Sequence, residues 1–503
     1  MNLAVIEGIT SVLSSPMVLL LIFAGVGIGI IFGSLPGLTA TMAITMFLPM
    51  TYAMSAIDGM SVLVALYIGG ISGGLISAIL LNIPGTPSSV ATCFDGRPMA
   101  EKGEAGKALG AGIVFSFLGT IFGLAMLLVI SPLLAKVAIK FGPFEYCALA
   151  MFSLSLVITL TGKDLTKGLT SALMGVMLAT VGLAPIDAAK RYTFENVQLN
   201  GGFALLVLLI GLYAMTEILA TAEKTMNPEN YTIDNEVKIK GFGFSIKEFF
   251  GQLYNGLRSA FIGLGIGILP GIGGGTSCML AYTFAKNQSK YPEKFGTGII
   301  DGVVASETAN NATIGGAMIP LLTLGIPGDS ATAMLLGGLM VHNVAPGPLI
   351  FEKSGSIVYG IYTAMFLAAC AMLILEFLGM RIFMKVLKVP KNYLLPVIVV
   401  LCIVGAFGSN NRIFDVWSVL AFGIMGYALI KSKFPIPPMI LGFILGPIFE
   451  LNFRRAVQHA QLSPSEILNH PIAITFFIIT ILIIVLSLKS AKRENMAQDI
   501  ENA

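Results

Sequence analysis

Glu307, Asn310 and Asn311 fall at i, i+3 and i+4, so a helix would carry one carboxylate and two carboxamides on a single face. Hard oxygen ligands of this kind suit Na⁺, and a carboxylate alone suits H⁺. The stretch that follows, residues 307–332, has no charge between Glu307 and Asp329 yet is dense in Asn, Thr, Gly and Pro. In hydrocarbon every backbone N–H and C=O needs a partner, so such a stretch is tolerated where the opened backbone is buried in protein or lines a wet cavity. The break at Ile326, Pro327 and Gly328, followed by Asp329 and Ser330, is therefore expected to line a cavity; close helix packing is the competing use of its small residues. For Glu307 the competing place is a helix end at headgroup level. The expectation is a cation site at Glu307, Asn310, Asn311 and Asp329.

Three further breaks resemble that one. Leu35, Pro36 and Gly37 follow a glycine-rich run and precede Thr39 and Thr41; Ile83, Pro84 and Gly85 precede Thr86, Ser88 and Ser89; Leu269, Pro270 and Gly271 precede Gly273, Gly274, Gly275 and Thr276. The Leu-Pro-Gly pair is 234 residues apart (269 − 35) and the Ile-Pro-Gly pair 243 (326 − 83), the same order with a nine-residue insertion. Two breaks recurring in order indicate an internal repeat. The first half carries Val64 where the second carries Glu307 (307 − 243). Paired discontinuous helices are the pattern of secondary transporters, whose half-helix N-termini aim partial positive charge and free N–H groups at an anion near the midplane. An organic anion would be held by the backbone at Pro36, Gly37, Pro84, Gly85, Gly271, Gly273, Gly274, Gly275, Pro327 and Gly328. The hydroxyls of Thr39, Thr41, Thr86, Ser88, Ser89, Thr276 and Ser330 would join it.

The elements that must position these groups follow from composition. At 55% hydrophobic and 11% charged residues in 503, the chain cannot cover a soluble surface of its size. Charge-free runs at residues 8–57, 59–94, 108–135, 259–285, 354–375 and 467–488 each exceed the roughly 20 residues that span a bilayer, and they are continuously apolar rather than alternating. The fold expected is an all-α polytopic membrane protein of about eleven or twelve passes, with two repeats in opposite orientation and broken helices or re-entrant hairpins. Residues 1–221 form the first repeat, 222–258 a polar connector, 259–430 the second repeat, and 431–503 C-terminal helices and a tail. Within the connector, Phe249, Phe250, Leu253 and Leu257 have the spacing of an interfacial helix. Residues 95–107, with balanced charges, read as a solvated link.

The net charge of +3 is spread along loops and suggests no nucleic-acid partner. Cys93, Cys147, Cys278, Cys370 and Cys402 lack metal or redox spacing and read as small core residues. The N-terminus has no basic region before its apolar run, so that run is expected to be retained. Basic residues Arg381, Lys385, Lys388 and Lys391, then Lys431 and Lys433, then Lys489, Lys492 and Arg493 place the C-terminus in the cytoplasm and the N-terminus outside, with Arg454 and Arg455 as the exception. No cofactor is expected: His342, His459 and His470 form no HExxH or GxSxG arrangement, which argues against an enzyme. A passive anion channel, or a carrier for another small organic anion, remains the rival reading.

The long motifs LPGLTATMAITMFLPMTY, IPGTPSSVATCFDGRPMAEKGEAGKALG, ILPGIGGG and ASETANNATIGGAMIPLLTLGIPGDSATAMLLGGLMVHNVAPGP closely resemble the large membrane subunit (TctA family) of the tripartite tricarboxylate transporters, over roughly residues 20–430. That resemblance implies a bacterial inner-membrane carrier for di- or tricarboxylates driven by a Na⁺ or H⁺ gradient. It also implies two partners, a small membrane subunit and a periplasmic solute-binding protein. The loop of residues 343–355 is a candidate docking surface for the latter, or a plain solvated loop.

Overall fold

The computed structural model describes residues 2–35, 38–160, 165–226, 244–386, 394–462 and 464–485. The chain is an all-α polytopic membrane protein. Among the described residues the strands amount to one antiparallel pairing of Gly182–Leu183 with Lys190–Arg191, and 7 helices are long and apolar enough to cross a bilayer. Two compact units are present: Met1–Lys136 with Glu217–Leu269 and Gly273–Ser409, and Val137–Thr216 with Pro270–Ile272 and Asn410–Ala503.

The first unit is built on two closely packed helix pairs, Pro16–Ser34 on Ala56–Leu81 and Ile246–Ile268 on Ile300–Leu324. Glycine sets both approaches. A Cβ on Gly29 would lie 2.6 Å from the Leu66 carbonyl oxygen, and one on Gly263 would collide with the Ala309 carbonyl. These are the same contact, because Gly263 is Gly29 plus 234 and Ala309 is Leu66 plus 243. The helix ends repeat as well. Leu35 and Leu269 both leave the helix in extended conformation, while Asn82 (φ 55°) and Gly325 (φ 72°) both close theirs in the left-handed region. Beyond the breaks Thr86 with Ser89 and Asp329 with Thr332 form capping boxes, again 243 residues apart (329 − 86). Gly85 packs on the Gly33 carbonyl as Gly328 packs on that of Gly267.

The Ile300–Leu324 helix is polar for a membrane element, yet every residue from Gly302 to Thr323 is buried, so protein rather than lipid surrounds it. The amphipathic stretch around Phe249 does not stop at the end of the connector. It is the first half of Ile246–Ile268, started by a Ser245 and Glu248 capping box. The charged stretch after Cys93 also differs from expectation: Val90–Glu101 is helical and Asp95 is fully buried. Its Oδ1 accepts the backbone N–H groups of Gly296, Gly298 and Ile299 at 2.9, 2.8 and 3.0 Å, and its Oδ2 accepts the Tyr282 hydroxyl at 2.8 Å. A short carboxylate among three amides holds a loop in place, which neighbouring charges in sequence cannot reveal.

In the second unit Pro143–Leu160 and Leu165–Ala179 pack on Ile436–Leu462, with Gly175 and Gly442 at the crossing. The Ile413–Lys431 helix packs on a π-helical turn, Ile210–Met215, whose following Thr216 hydroxyl reaches the Gly211 and Gly423 carbonyls at 3.1 and 3.3 Å. Arg191 and Arg454 converge on Glu450 at 2.6 and 2.9 Å. All five cysteines are free thiols. Lys388, Lys391, Lys489, Lys492 and Arg493 lie outside the described residues.

Candidate substrate and cation site

Four helices of the first unit start at the breaks: Ala40–Phe47, Val90–Glu101 entered through Pro87–Ser89, Gly273–Gln288 and Ser330–Val341. Their first turns meet. The Thr41 hydroxyl is 3.0 Å from that of Ser330. A Cβ on Gly273 would lie 3.4 Å from Asp329 Cβ, one on Gly274 would lie 2.9 Å from Ser88 Cβ, and one on Gly275 would lie 3.3 Å from the Pro87 oxygen. Glycine is required at this corner twice over, by the close approach at Gly274 and by φ 69° at Gly273. No Lys or Arg occurs in residues 35–41, 82–90, 269–276 or 325–332. The partial positive ends of four helices therefore lack a basic competitor within these segments for an incoming anion.

Asn310 stands at the same corner. It is 1% exposed, its amide lies beside the Glu307 carboxyl without closing a hydrogen bond to it or to any other group, and its Oδ1 lies 2.6 Å from where a Gly274 Cβ would be. Leaving a buried polar group unpaired costs about 1–3 kcal/mol, so a bound ligand that pairs with this amide recovers free energy the empty protein forgoes.

Glu307, one turn earlier and fully buried, sits among hydroxyls. Thr92 donates to its Oε1 at 2.5 Å and Ser116 to its Oε2 at 3.2 Å. The Ser116 hydroxyl in turn accepts from Asn311 Nδ2 at 2.8 Å, and the Ser306 and Thr92 hydroxyls are 3.0 Å apart. Two elements, Val90–Glu101 and Ala105–Ala138, thus donate hydroxyls to a carboxylate carried by a third, Ile300–Leu324, whose Ser306 and Asn311 contact those hydroxyls. No Lys or Arg is among these partners. The set presents oxygen ligands to a small cation or holds a proton.

Of the residues singled out by sequence, Glu307 and Asn311 share one network, with Asn310 beside them. Asp329 belongs to another: its Oδ1 caps Ser330–Val341 through the Thr332 N–H at 2.7 Å, and its Oδ2 accepts the Tyr67 hydroxyl at 2.6 Å. Thr39 caps its own helix through Met42 N–H, and Thr86, Ser88 and Ser89 bond among themselves. Gly85, Pro327 and Gly328 are buried, Pro84 and Thr276 half-buried. Gly271 groups with the second unit. Pro36 and Gly37 lie outside the described residues. Sequence reasoning missed Tyr67, Thr92, Ser116 and Thr120; the last donates to Asn311 Oδ1 at 3.5 Å. A hydroxyl in an apolar helix has no spacing signal, because it also satisfies itself on its own backbone.

Helices broken in pairs around a buried polar centre are a pattern of membrane transporters. The comparisons agree. The chain matches the tripartite tricarboxylate transporter TctA family over residues 19–441 and belongs to that family. It is 33% identical over 477 residues, 94% of each chain, to an uncharacterized 52.8 kDa protein of the TAR-I ttuC' 3' region of Agrobacterium vitis. It is 34% identical over 233 residues, 46% of this chain and 96% of the other, to an uncharacterized protein of the TAR-II ttuC' 3' region of the same organism. No solved structure matches the chain.

Proposed function

We propose that this chain is the substrate-carrying membrane subunit of a tripartite importer. A small di- or tricarboxylate binds where the four helix starts converge, Na⁺ or H⁺ binds at Glu307 with Asn311 and the Thr92 and Ser116 hydroxyls, and the cation gradient drives accumulation. The observation that carries this reading is the Asn310 amide, buried and unpaired at a corner where four N-terminal helix ends meet without a basic residue. An anion entering there gains hydrogen bonds and dipole contacts together, about 0.3–1 kcal/mol from each helix end. The recurrence of helix ends, caps and glycine contacts at two fixed offsets supports an internal repeat, and an inverted pairing of its halves is the arrangement that would permit alternating access around one central site. Family membership supports two partners, a small membrane subunit and a periplasmic solute-binding protein; the latter would dock near residues 343–355. It also supports a place in the bacterial inner membrane, where the N-terminus would face outward and the C-terminus the cytoplasm.

The test is reconstitution of this chain in vesicles with and without those partners, under an imposed Na⁺ or H⁺ gradient, using several labelled carboxylates. Concentrative uptake that needs both gradient and partners is expected. Full uptake by this chain alone overturns the tripartite reading, and mere equilibration makes the protein a channel.

A further inference from the structure

The first unit buries a second carboxylate that the site above does not use. Glu376, on the Gly355–Val386 helix, is fully buried and neither of its oxygens is hydrogen-bonded; Ser72, on Ala56–Leu81, is equally buried and its hydroxyl is also unpaired. The Ser72 hydroxyl faces the Glu376 carboxyl without closing a bond to it. The two helices run side by side in the same direction. Ile57 is in contact with Gly360 at 3.3 Å from its would-be Cβ, and Ser72 faces Glu376 after 15 residues on one helix (72 − 57) and 16 on the other (376 − 360).

A carboxylate removed from water and given no donor is prohibitively unfavourable as an ion, so the group either binds a proton or takes a cation. A metal cation is the poorer occupant. Na⁺ and larger hard cations require several oxygen ligands, and Ser72 supplies one. Nor do other charges on the packed elements neutralise it. Glu7 and Asp58 lie level with the first turns of the Gly355–Val386 helix, as the contacts of Gly8 and Ile57 with Gly360 fix, and the helix of residues 16–34 has no titratable group. Glu352 and Lys353 precede the helix, and Tyr67 is bonded to Asp329.

Glu376 is also placed to sense the cation site. Leu75, one turn beyond Ser72, and Glu307 Cγ both lie 3.7 Å from where a Cβ on Gly112 would be, so both buried carboxyls lie on helices packed against Ala56–Leu81. Two carboxylates so placed disfavour being charged together, and loss of a proton from one opposes its loss from the other.

We propose that Glu376, facing Ser72, is a proton-binding site distinct from Glu307, which takes up and releases one proton in each transport cycle. The uptake arm of its test rests on the transport reading above; the spectroscopic arm does not. In the first arm, the full chain in lipid vesicles is titrated with acid and base while infrared difference spectra are recorded. A pH-responsive band of a protonated carboxyl is expected to persist in Glu307→Gln, shift its midpoint in Ser72→Ala, and vanish in Glu376→Gln. Spectra of Glu376→Gln that match those of the wild type overturn the proposal. In the second arm, with partners present, Glu376→Gln is expected to keep counterflow exchange of labelled carboxylate and lose accumulation driven by a pH gradient. Wild-type accumulation in that variant also overturns it. If the wild type accumulates nothing, the transport reading fails and the infrared arm alone decides the proton site. If Glu376→Gln does not fold, an unshifted midpoint in Ser72→Ala counts against the proposal.

Discussion

The two broken helix pairs of the first unit share a backbone design and differ in chemistry. Gly29 against Leu66 corresponds to Gly263 against Ala309, and the Thr86 cap corresponds to the Asp329 cap. At the positions that face the centre the match ends. Glu307, Asn310 and Asn311 correspond at an offset of 243 residues to Val64, Tyr67 and Ile68. The first pair holds a shape. The second pair holds the same shape and adds a carboxylate with two amides, so packing and ligand binding are separable, and substitutions at equivalent positions should have unequal effects on transport and, where the two pairs make the same contacts, similar effects on stability.

The largest expected inequality is between Glu307→Gln and Val64→Ala. The first removes the charge around which Thr92 and Ser116 are arranged. Charge-assisted contacts worth about 3 kcal/mol correspond to a loss of cation affinity of about 100-fold, read as the Na⁺ or H⁺ dependence of uptake in vesicles. Val64→Ala leaves a small cavity, costs about 1–2 kcal/mol of stability, and should leave ion dependence unchanged. Equal effects on ion dependence would break the comparison. Next are the glycines. Gly29→Ala and Gly263→Ala each force a methyl group into a carbonyl, and each should lower stability by about 1–3 kcal/mol in thermal unfolding of the detergent-solubilised chain. A large cost at one and none at the other would mean that the two crossings are not equivalent. Smallest are the caps. Thr86→Ala should lose about 1 kcal/mol, and Asp329→Ala somewhat more, because Asp329 also accepts from Tyr67. A Tyr67→Phe background should remove that excess.

The breaks were legible because Gly and Pro inside an apolar run have few other physical reasons to recur in order, and the fold class followed from charge-free length alone. The Glu307 face was legible from helical spacing. The hydroxyls that complete it were not, since Thr92 and Ser116 come from two other elements and hydroxyls are unremarkable in apolar helices. Asp95 was hidden for the opposite reason: its segment is dense in charge and reads as exposed, whereas the carboxylate is spent on three backbone amides. The amphipathic pattern near Phe249 indicated a helix correctly but not its continuation to Ile268, because the pattern changes where its surroundings change. The role of Asp329 as a cap could have been read from the Asp-Ser-Ala-Thr spacing, which carries the signature of a capping box.

The central claim is that a carboxylate binds where the four helix starts meet, with Asn310 as one of its partners. Equilibrium binding of labelled di- and tricarboxylates to the purified chain, wild type against Asn310→Ala, tests it most directly. Asn310 closes no hydrogen bond within the protein, so the substitution loses none and should not unfold the chain in thermal melts, while weakening carboxylate binding by about 10-fold or more, the equivalent of a hydrogen bond to a charged group. Unchanged affinity in a normally folded Asn310→Ala protein would contradict the account.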